Sequence, residues 1–297
     1  MNLYKPVGPT SHDAVARVRR LFGQRQVGHA GTLDPLAEGV LLVCLGRATR
    51  VSTYLMASAK SYLAEVTLGA TSTTDDAEGE IVPGGPVSCT REDAAAALAG
   101  FTGEIEQTPP RYAAVKRDGV PLYQRARRGE EVTPLARRVH IEAIHLLDWD
   151  PPHACLLVTC GPGTYIRALA RDLGAALGCG GYLSGLVRVR SGRFTVHDAV
   201  SFEELEVAIA EGFAADLLYP ADTALLDRAA VILAAESAAR LQQGQALPAH
   251  ADRLAANAPA GPAPYRAYSA AGELVALLDQ ESTAAGAAWW RPRRVFL

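Results

Sequence analysis

Between Val27 and Leu45 a loop punctuated by glycines and a proline gives way to six apolar residues, Val40-Leu41-Leu42-Val43-Cys44-Leu45, and this junction constrains the fold more than any other stretch. A short apolar run bounded by turn residues reads as a strand. The preceding Gly28-His29-Ala30-Gly31-Thr32-Leu33-Asp34-Pro35-Leu36-Ala37-Glu38-Gly39 therefore feeds that strand. Proline at 35 pushes Asp34 out of the helical region into an extended conformation. Glycines at 28, 31 and 39 permit tight turns and a close approach of main chain. A carboxylate held this way is aimed by its backbone, on the kind of loop where binding and catalytic groups concentrate. Asp-Pro is also a common turn initiator, so local chemistry alone leaves both readings open.

The rest of the chain supplies elements around that loop. Thr10-Ser11-His12-Asp13 has the capping-box pattern, and Val15, Val18 and Phe22 follow at helical spacing, which predicts an amphipathic helix near 11–22. Tyr62, Ala64, Val66 and Leu68 alternate with Leu63, Glu65 and Thr67, which predicts a half-buried strand ending at Gly69. Thr90 with Asp93, and Ser201 with Glu204, cap two further helices. Ala154 to Cys160 is an apolar strand that Gly161-Pro162-Gly163-Thr164 turns into a helix, with Ile166, Leu169, Ala170, Leu173 and Leu177 facing inward and Gly178 ending it. With Thr164 as cap, Arg167 falls near the third helical position, where the helix dipole disfavours a cation by about 0.3–1 kcal/mol. Arg167 therefore calls for an anion. It is either a solvated arginine at a helix end or the partner of Asp34, which an adjacent guanidinium would keep ionised and oriented.

At 297 residues the chain has room for two domains, and 49% hydrophobic with 21% charged residues is an ordinary globular balance. The formal charge of −3 conceals opposed segments. Arg111 to Arg138 holds Arg111, Lys116, Arg117, Arg125, Arg127, Arg128, Arg137 and Arg138 against Asp118, Glu130 and Glu131. Ser201 to Ala230 holds seven acids against Arg228 alone. The basic, glycine- and proline-containing stretch reads as an excursion suited to a polyanion. The five cysteines are odd in number and lack paired metal spacing, so neither disulfides nor zinc is expected. No secretory hydrophobic region and no run near the roughly 18 apolar residues of a spanning helix occurs, which predicts a cytoplasmic protein without membrane contact. From Tyr219 onward short strands, an Ala/Pro tract over 246–264 and a glycine turn within 265–279 predict a small β-rich domain.

The stretch around Asp34, with its Gly-His pair and Gly-Thr-Leu-Asp-Pro run, resembles the signature loop of TruB-type tRNA pseudouridine synthases. Gly163-Thr164-Tyr165-Ile166-Arg167, Lys60-Ser61-Tyr62 and Lys5-Pro6-Val7-Gly8-Pro9-Thr10-Ser11 resemble three further motifs of that family, in the proper order. The tail is similar, weakly, to its PUA domain. The resemblance implies an α+β pseudouridine synthase fold with a central mixed, largely antiparallel sheet. It divides the chain into a catalytic domain over 1–225, with a thumb-like insertion near 111–138, and a small β-rich PUA-like RNA-binding domain over 226–297. It makes Asp34 the catalytic carboxylate, Arg167 its partner and Tyr62 the residue that stacks on the target uracil and assists proton removal. His29, Tyr165 and Leu186 complete the substrate pocket, and Lys5, Arg111, Lys116, Arg125, Arg127 and Arg128 contact RNA. The implied reaction converts uridine 55 of the tRNA T-stem-loop to pseudouridine without cofactor, metal or obligate protein partner. A noncatalytic RNA-binding or RNA-folding protein is the alternative. A hydrolase fits poorly, because Gly181-Tyr182-Leu183-Ser184-Gly185 is not a nucleophile elbow and the phosphate-loop and His-Glu-x-x-His patterns are missing.

Overall fold

The computed structural model describes residues 1–112, 116–117, 120–121, 134–248, 263–282 and 288–296. Arg125, Arg127 and Arg128, and the side chain of Lys116, lie outside the described residues. The chain divides into two compact units, one of Met1–Gly23, His29–Val43 and Leu55–Leu217, the other of Gln24–Gly28, Cys44–Tyr54 and Leu218–Leu297.

The first unit is built on a sheet whose main path runs Asn2–Lys5, Ala37–Leu45, Gly181–Ser191, Lys60–Leu68, His153–Cys160, Arg137–Asp150, Gly103–Gln107. Along this path only the pairing of Ala37–Leu45 with Gly181–Ser191 is parallel, so the sheet is mixed and largely antiparallel, as expected. Side-chain alternation explains how it is covered. In His153–Cys160 the residues Ala154, Leu156, Val158 and Cys160 are buried while their neighbours are not. The strand expected at Tyr62 begins at Lys60 and ends at Leu68, before Gly69 at φ +83°. The apolar junction residues Val40 to Cys44 are all buried, as a strand in the sheet interior requires.

All three predicted capping boxes form, at Thr10/Asp13, Thr90/Asp93 and Ser201/Glu204, and the first starts a helix over Ser11–Leu21. The Arg167 helix departs from expectation at its start. It spans Ile166–Ala176 with Tyr165 as N-cap, and Thr164 donates to Gly161 O instead (3.2 Å). The N-cap residue is held from the strand Gly103–Gln107, where Gln107 Oε1 accepts from Tyr165 N (2.8 Å) and Gln107 Nε2 donates to Tyr165 O (3.0 Å). A tertiary partner thus fixes Tyr165 in place, and the start at Ile166 puts Arg167 at the second helical position. Leu177 is the half-buried C-cap rather than part of the inward face.

The second unit contains a five-stranded sheet in the order Ala230–Leu233, Tyr265–Ser269, Leu274–Ser282, Ala288–Val295, Leu247–Pro248. Its core gathers Val231, Leu233, Leu241 and Leu278 around Trp290, against which Tyr265 packs edge-on at 4.9 Å between ring centroids. The hairpin between 265 and 282 turns at Gly272, whose φ of +82° suits glycine. The β-rich C-terminal region is therefore present. No helix among the described residues is long and apolar enough to cross a membrane.

Candidate active site

Asp34 sits between Gly31, at φ +110°, and Gly39, at φ +95°. A Cβ on Gly39 would lie 2.5 Å from the carbonyl oxygen of Arg188, so close approach as well as backbone angle demands glycine there. Gly28 was expected to share this role, but it has no positive φ and nothing lies within 4 Å of a Cβ placed on it. The loop is pinned from the N-terminal segment. Ser11 Oγ donates to Leu33 O (2.9 Å) and accepts from Leu33 N (2.8 Å), while Gly8 N donates to Pro35 O (2.9 Å).

Lys5 completes that fastening and is a correction to its expected RNA contact. Its side chain is fully buried, and Nζ donates to Pro6 O (2.7 Å) and Pro9 O (2.8 Å), with Pro35 O at 3.5 Å. An ammonium spent on carbonyls in the interior is not placed to meet a phosphate. Burial pushes its pKa down to about 8, against the raising pull of Asp34 and Glu38.

Arg167 is buried and brings two carboxylates together. Its Nε lies 3.0 Å from Asp34 Oδ2, off the line that a hydrogen bond needs, so this contact is electrostatic. Nη1 lies 3.1 Å from Asp76 Oδ2 and also donates to Thr74 O (3.1 Å), while Nη2 donates to Tyr112 O (3.2 Å). Asp76, 2% exposed, is itself held by Glu78 N (3.1 Å) and the Thr74 hydroxyl. One cation therefore faces two acids.

This arrangement modifies the expectation that Arg167 simply keeps Asp34 ionised. Burial raises the Asp34 pKa, and although Arg167 and Lys5 pull it down, the charge of Asp76 reinforces the rise. The Asp34 side chain nevertheless keeps 37% of its surface open. The result is a reachable carboxylate that holds its proton more tightly than a free one.

Two cavities meet at this pair. One, of about 430 Å³, is lined by Asp34, Tyr62, Tyr165, Arg167, Leu186 and Arg188 among others. The other, of about 840 Å³, shares Asp34 and Arg167 and is lined by His12, His29, Glu78 and Tyr112. The structure thus brings Tyr62, Tyr165 and Leu186 around Asp34 but sets His29 on the second cavity. Burial, reinforced by the charge of Arg188, lowers the His29 pKa and keeps the ring neutral. Burial raises the Tyr62 phenol, opposed chiefly by Arg188. Arg137 lies over the Tyr165 ring at 4.6 Å and hydrogen bonds the Gly163 carbonyl, a cation-π contact that fixes one cavity wall. Arg111 is exposed at the edge of the basic stretch.

Asp76, Arg188, Gln107 and Lys60 were missed as site residues. Lys60 lines the smaller cavity and donates to Met56 O and Ser58 O, with burial lowering its pKa to about 8. Asp76 lies in the polar run Thr73-Thr74-Asp75-Asp76-Ala77-Glu78-Gly79, which reads only as a turn. The one local sign was a carboxylate in a hydroxyl-rich turn, and nothing in its spacing points to Arg167.

The profile of the TruB family pseudouridylate synthase N-terminal domain matches residues 19–166, and that of the tRNA pseudouridylate synthase B C-terminal domain matches 167–226. The chain belongs to the TruB family. Among its relatives, the tRNA pseudouridine synthase B of Cupriavidus metallidurans is 49% identical over 245 residues, covering 82% of this chain and 78% of the relative. The namesake from Dehalococcoides mccartyi strain BAV1 is 42% identical over 300 residues, 100% of this chain and 96% of the relative. Two solved structures share the fold at a TM-score of 0.75, each covering 100% of this chain and 84% of the other. They are an H/ACA RNP bound to a substrate RNA containing 2′-deoxyuridine, 25% identical, and a Cbf5-Nop10-Gar1 complex, 28% identical. For a TruB-family chain, an aspartate paired with a buried arginine beside a tyrosine-lined cavity is suited to charge-assisted bond exchange on an enclosed base.

Proposed function

We propose that this protein converts uridine to pseudouridine in tRNA, at position 55 of the T-loop. The observation that carries this reading is the reachable Asp34 carboxylate, 3.0 Å from the buried Arg167 guanidinium, on the wall of a cavity that also holds Tyr62, Tyr165 and Leu186. The reaction is an isomerisation. The bond from the sugar carbon to N1 of the base breaks, the base turns, and its C5 bonds to the same sugar carbon while C5 loses a proton and N1 gains one. Electrons balance without an oxidant, so no redox cofactor is called for. Asp34 acts ionised, as a nucleophile toward sugar or base or as a base toward a sugar proton, and its charge offsets the cation developing at the sugar.

A base within folded RNA must be extruded to reach such a cavity, and stacking on Tyr62, worth about 1–3 kcal/mol, helps to offset the lost stacking. Arg111, Lys116, Arg125, Arg127 and Arg128 contact the backbone, with recognition largely of shape and phosphate. Residues 226–297 act as a PUA-like RNA-binding domain, and 1–225 as the catalytic domain. The setting is the cytoplasm, with tRNA as the partner. Release of tritium from C5-labelled uridine in tRNA, with the modified position mapped, tests this. No release by the wild-type protein, with tRNA binding intact, would leave the noncatalytic RNA-binding alternative.

A further inference from the structure

The strand Gly181–Ser191 lies between the strand that follows the Asp34 loop and the strand that carries Tyr62. Leu186, Val187 and Arg188 are registered with both, and Arg188 stands opposite Gly39 on one side and Tyr62 on the other. Its side chain is buried at 1% exposure. The guanidinium is turned onto main-chain carbonyls, with Nε donating to Val40 O (2.6 Å), Nη1 to Thr32 O (3.2 Å) and Nη2 to Gly31 O (3.1 Å). Carbonyls satisfy its donors without neutralising its charge. That charge is felt by its neighbours, since after burial it is the leading influence on Tyr62, His29 and Lys60. Tyr62 is its directly opposite cross-strand neighbour, and both residues line the smaller cavity.

We propose that Arg188 is a positioning residue that acts through Tyr62. It ties the Gly31–Thr32 end of the aspartate loop and the tyrosine hydroxyl into one frame, so that acid and ring meet the extruded base in a fixed mutual geometry. A purely structural arginine would need only its carbonyl partners. Its place directly opposite Tyr62 on the cavity wall gives this one a second task. Five donors in a rigid fork can hold three carbonyls and a phenol at once, whereas a lysine ammonium has three donors on a flexible stem.

This inference rests on the proposed activity, so its test includes a readout independent of turnover. With ¹³C-labelled tyrosine, the Tyr62 signal is assigned by its loss in Tyr62→Phe and followed with pH in the wild-type, Arg188→Lys and Arg188→Met proteins. The other groups facing Tyr62 are Cys160 and Asp34, and neither changes in these variants. Arg188→Met is expected to move the onset of Tyr62 titration to higher pH, and Arg188→Lys to move it less. In parallel, Arg188→Lys should lower kcat by on the order of tenfold to a hundredfold, the scale of a misplaced reacting group. Its tRNA Kd should stay within about threefold, and the loss should be less than multiplicative with Tyr62→Phe. An unmoved Tyr62 titration in Arg188→Met overturns the proposal. If that variant does not fold, independent multiplication of the Arg188→Lys and Tyr62→Phe effects on kcat overturns it. Absence of pseudouridine in the wild-type reaction would count against the activity, while the Tyr62 titration would still decide the role of Arg188.

Discussion

Arg167 faces two carboxylates with one charge, and the two are not equivalent: Asp76 is enclosed and held by hydrogen bonds, whereas Asp34 opens onto both cavities. Removing the Asp34 charge leaves Arg167 still paired with Asp76. Asp34→Asn is therefore expected to abolish turnover in the tritium-release assay while tRNA affinity by filter binding stays within about threefold. Because folding raises the Asp34 pKa, the unfolded chain loses that proton first as pH rises. Stability therefore falls between the ordinary value, about 3.9, and the folded one, and stays reduced above it. The inactive Asp34→Asn protein should accordingly melt at a higher temperature than wild type at pH 7 by calorimetry. Activity runs the other way: kcat should fall as pH drops through the raised pKa, placing the acid limb above the ordinary aspartate range. Asp76→Asn makes a distinct prediction. It removes a like charge that raises Asp34, so the acid limb should shift to lower pH. At the same time, loss of one anchor on Arg167 should lower kcat by on the order of tenfold to a hundredfold. A pH–rate profile of that variant measures both effects, and an unmoved limb would contradict the coupling.

The helix Ile166–Ala176 presents Arg167 because it lies close against the strand that follows it, and Gly174 permits that approach. A Cβ on Gly174 would lie 2.1 Å from Gly181 N and 2.4 Å from Gly181 Cα, both main-chain atoms. Glycine to alanine within a helix is ordinarily stabilising by about 1 kcal/mol. Here the sign should reverse, because backbone cannot step aside as a flexible side chain can. Gly174→Ala is expected to destabilise the fold by roughly 1–3 kcal/mol in urea denaturation and to lower kcat through displacement of Arg167. Unchanged or increased stability would show that helix and strand can separate without cost. The same contact illustrates what the sequence could and could not convey. Capping boxes at Thr10, Thr90 and Ser201 were legible because their partners lie three residues away, and strand alternation in 62–68 because its period is local. Asp34, Arg167 and Tyr62 stood out through motifs whose order along the chain matched a family. The Arg167 helix start was misplaced because Gln107, 58 residues before Tyr165, fixes the N-cap residue. Asp76 and Arg188 stayed hidden for the same reason, since their partners are long-range and leave no periodic trace.

At the scale of the whole molecule the formal charge of −3 would argue against a polyanionic partner, were it not that eight of 29 basic residues fall within Arg111 to Arg138. Binding to RNA depends on such local clusters because each neutralised phosphate releases counterions, making log affinity fall linearly with log salt. If Arg125, Arg127 and Arg128 meet phosphates, replacing all three by alanine should reduce the salt slope of tRNA binding by about 2–3, at roughly 0.7–0.9 per contact. With saturating tRNA, kcat should remain within about threefold, since these residues are outside the Asp34 cavity motifs. Lys5 supplies the contrasting case. Its buried ammonium serves the carbonyls of Pro6 and Pro9, so Lys5→Ala should leave the slope unchanged and instead lower stability by about 1–3 kcal/mol through unpaired acceptors. Titrating tRNA binding from 50 to 300 mM salt, about a sixfold range wide enough to fix a slope, separates the two kinds of basic residue. A reduced slope in Lys5→Ala, or an unchanged slope in the triple arginine variant, would reverse the assignment of which charges meet the RNA.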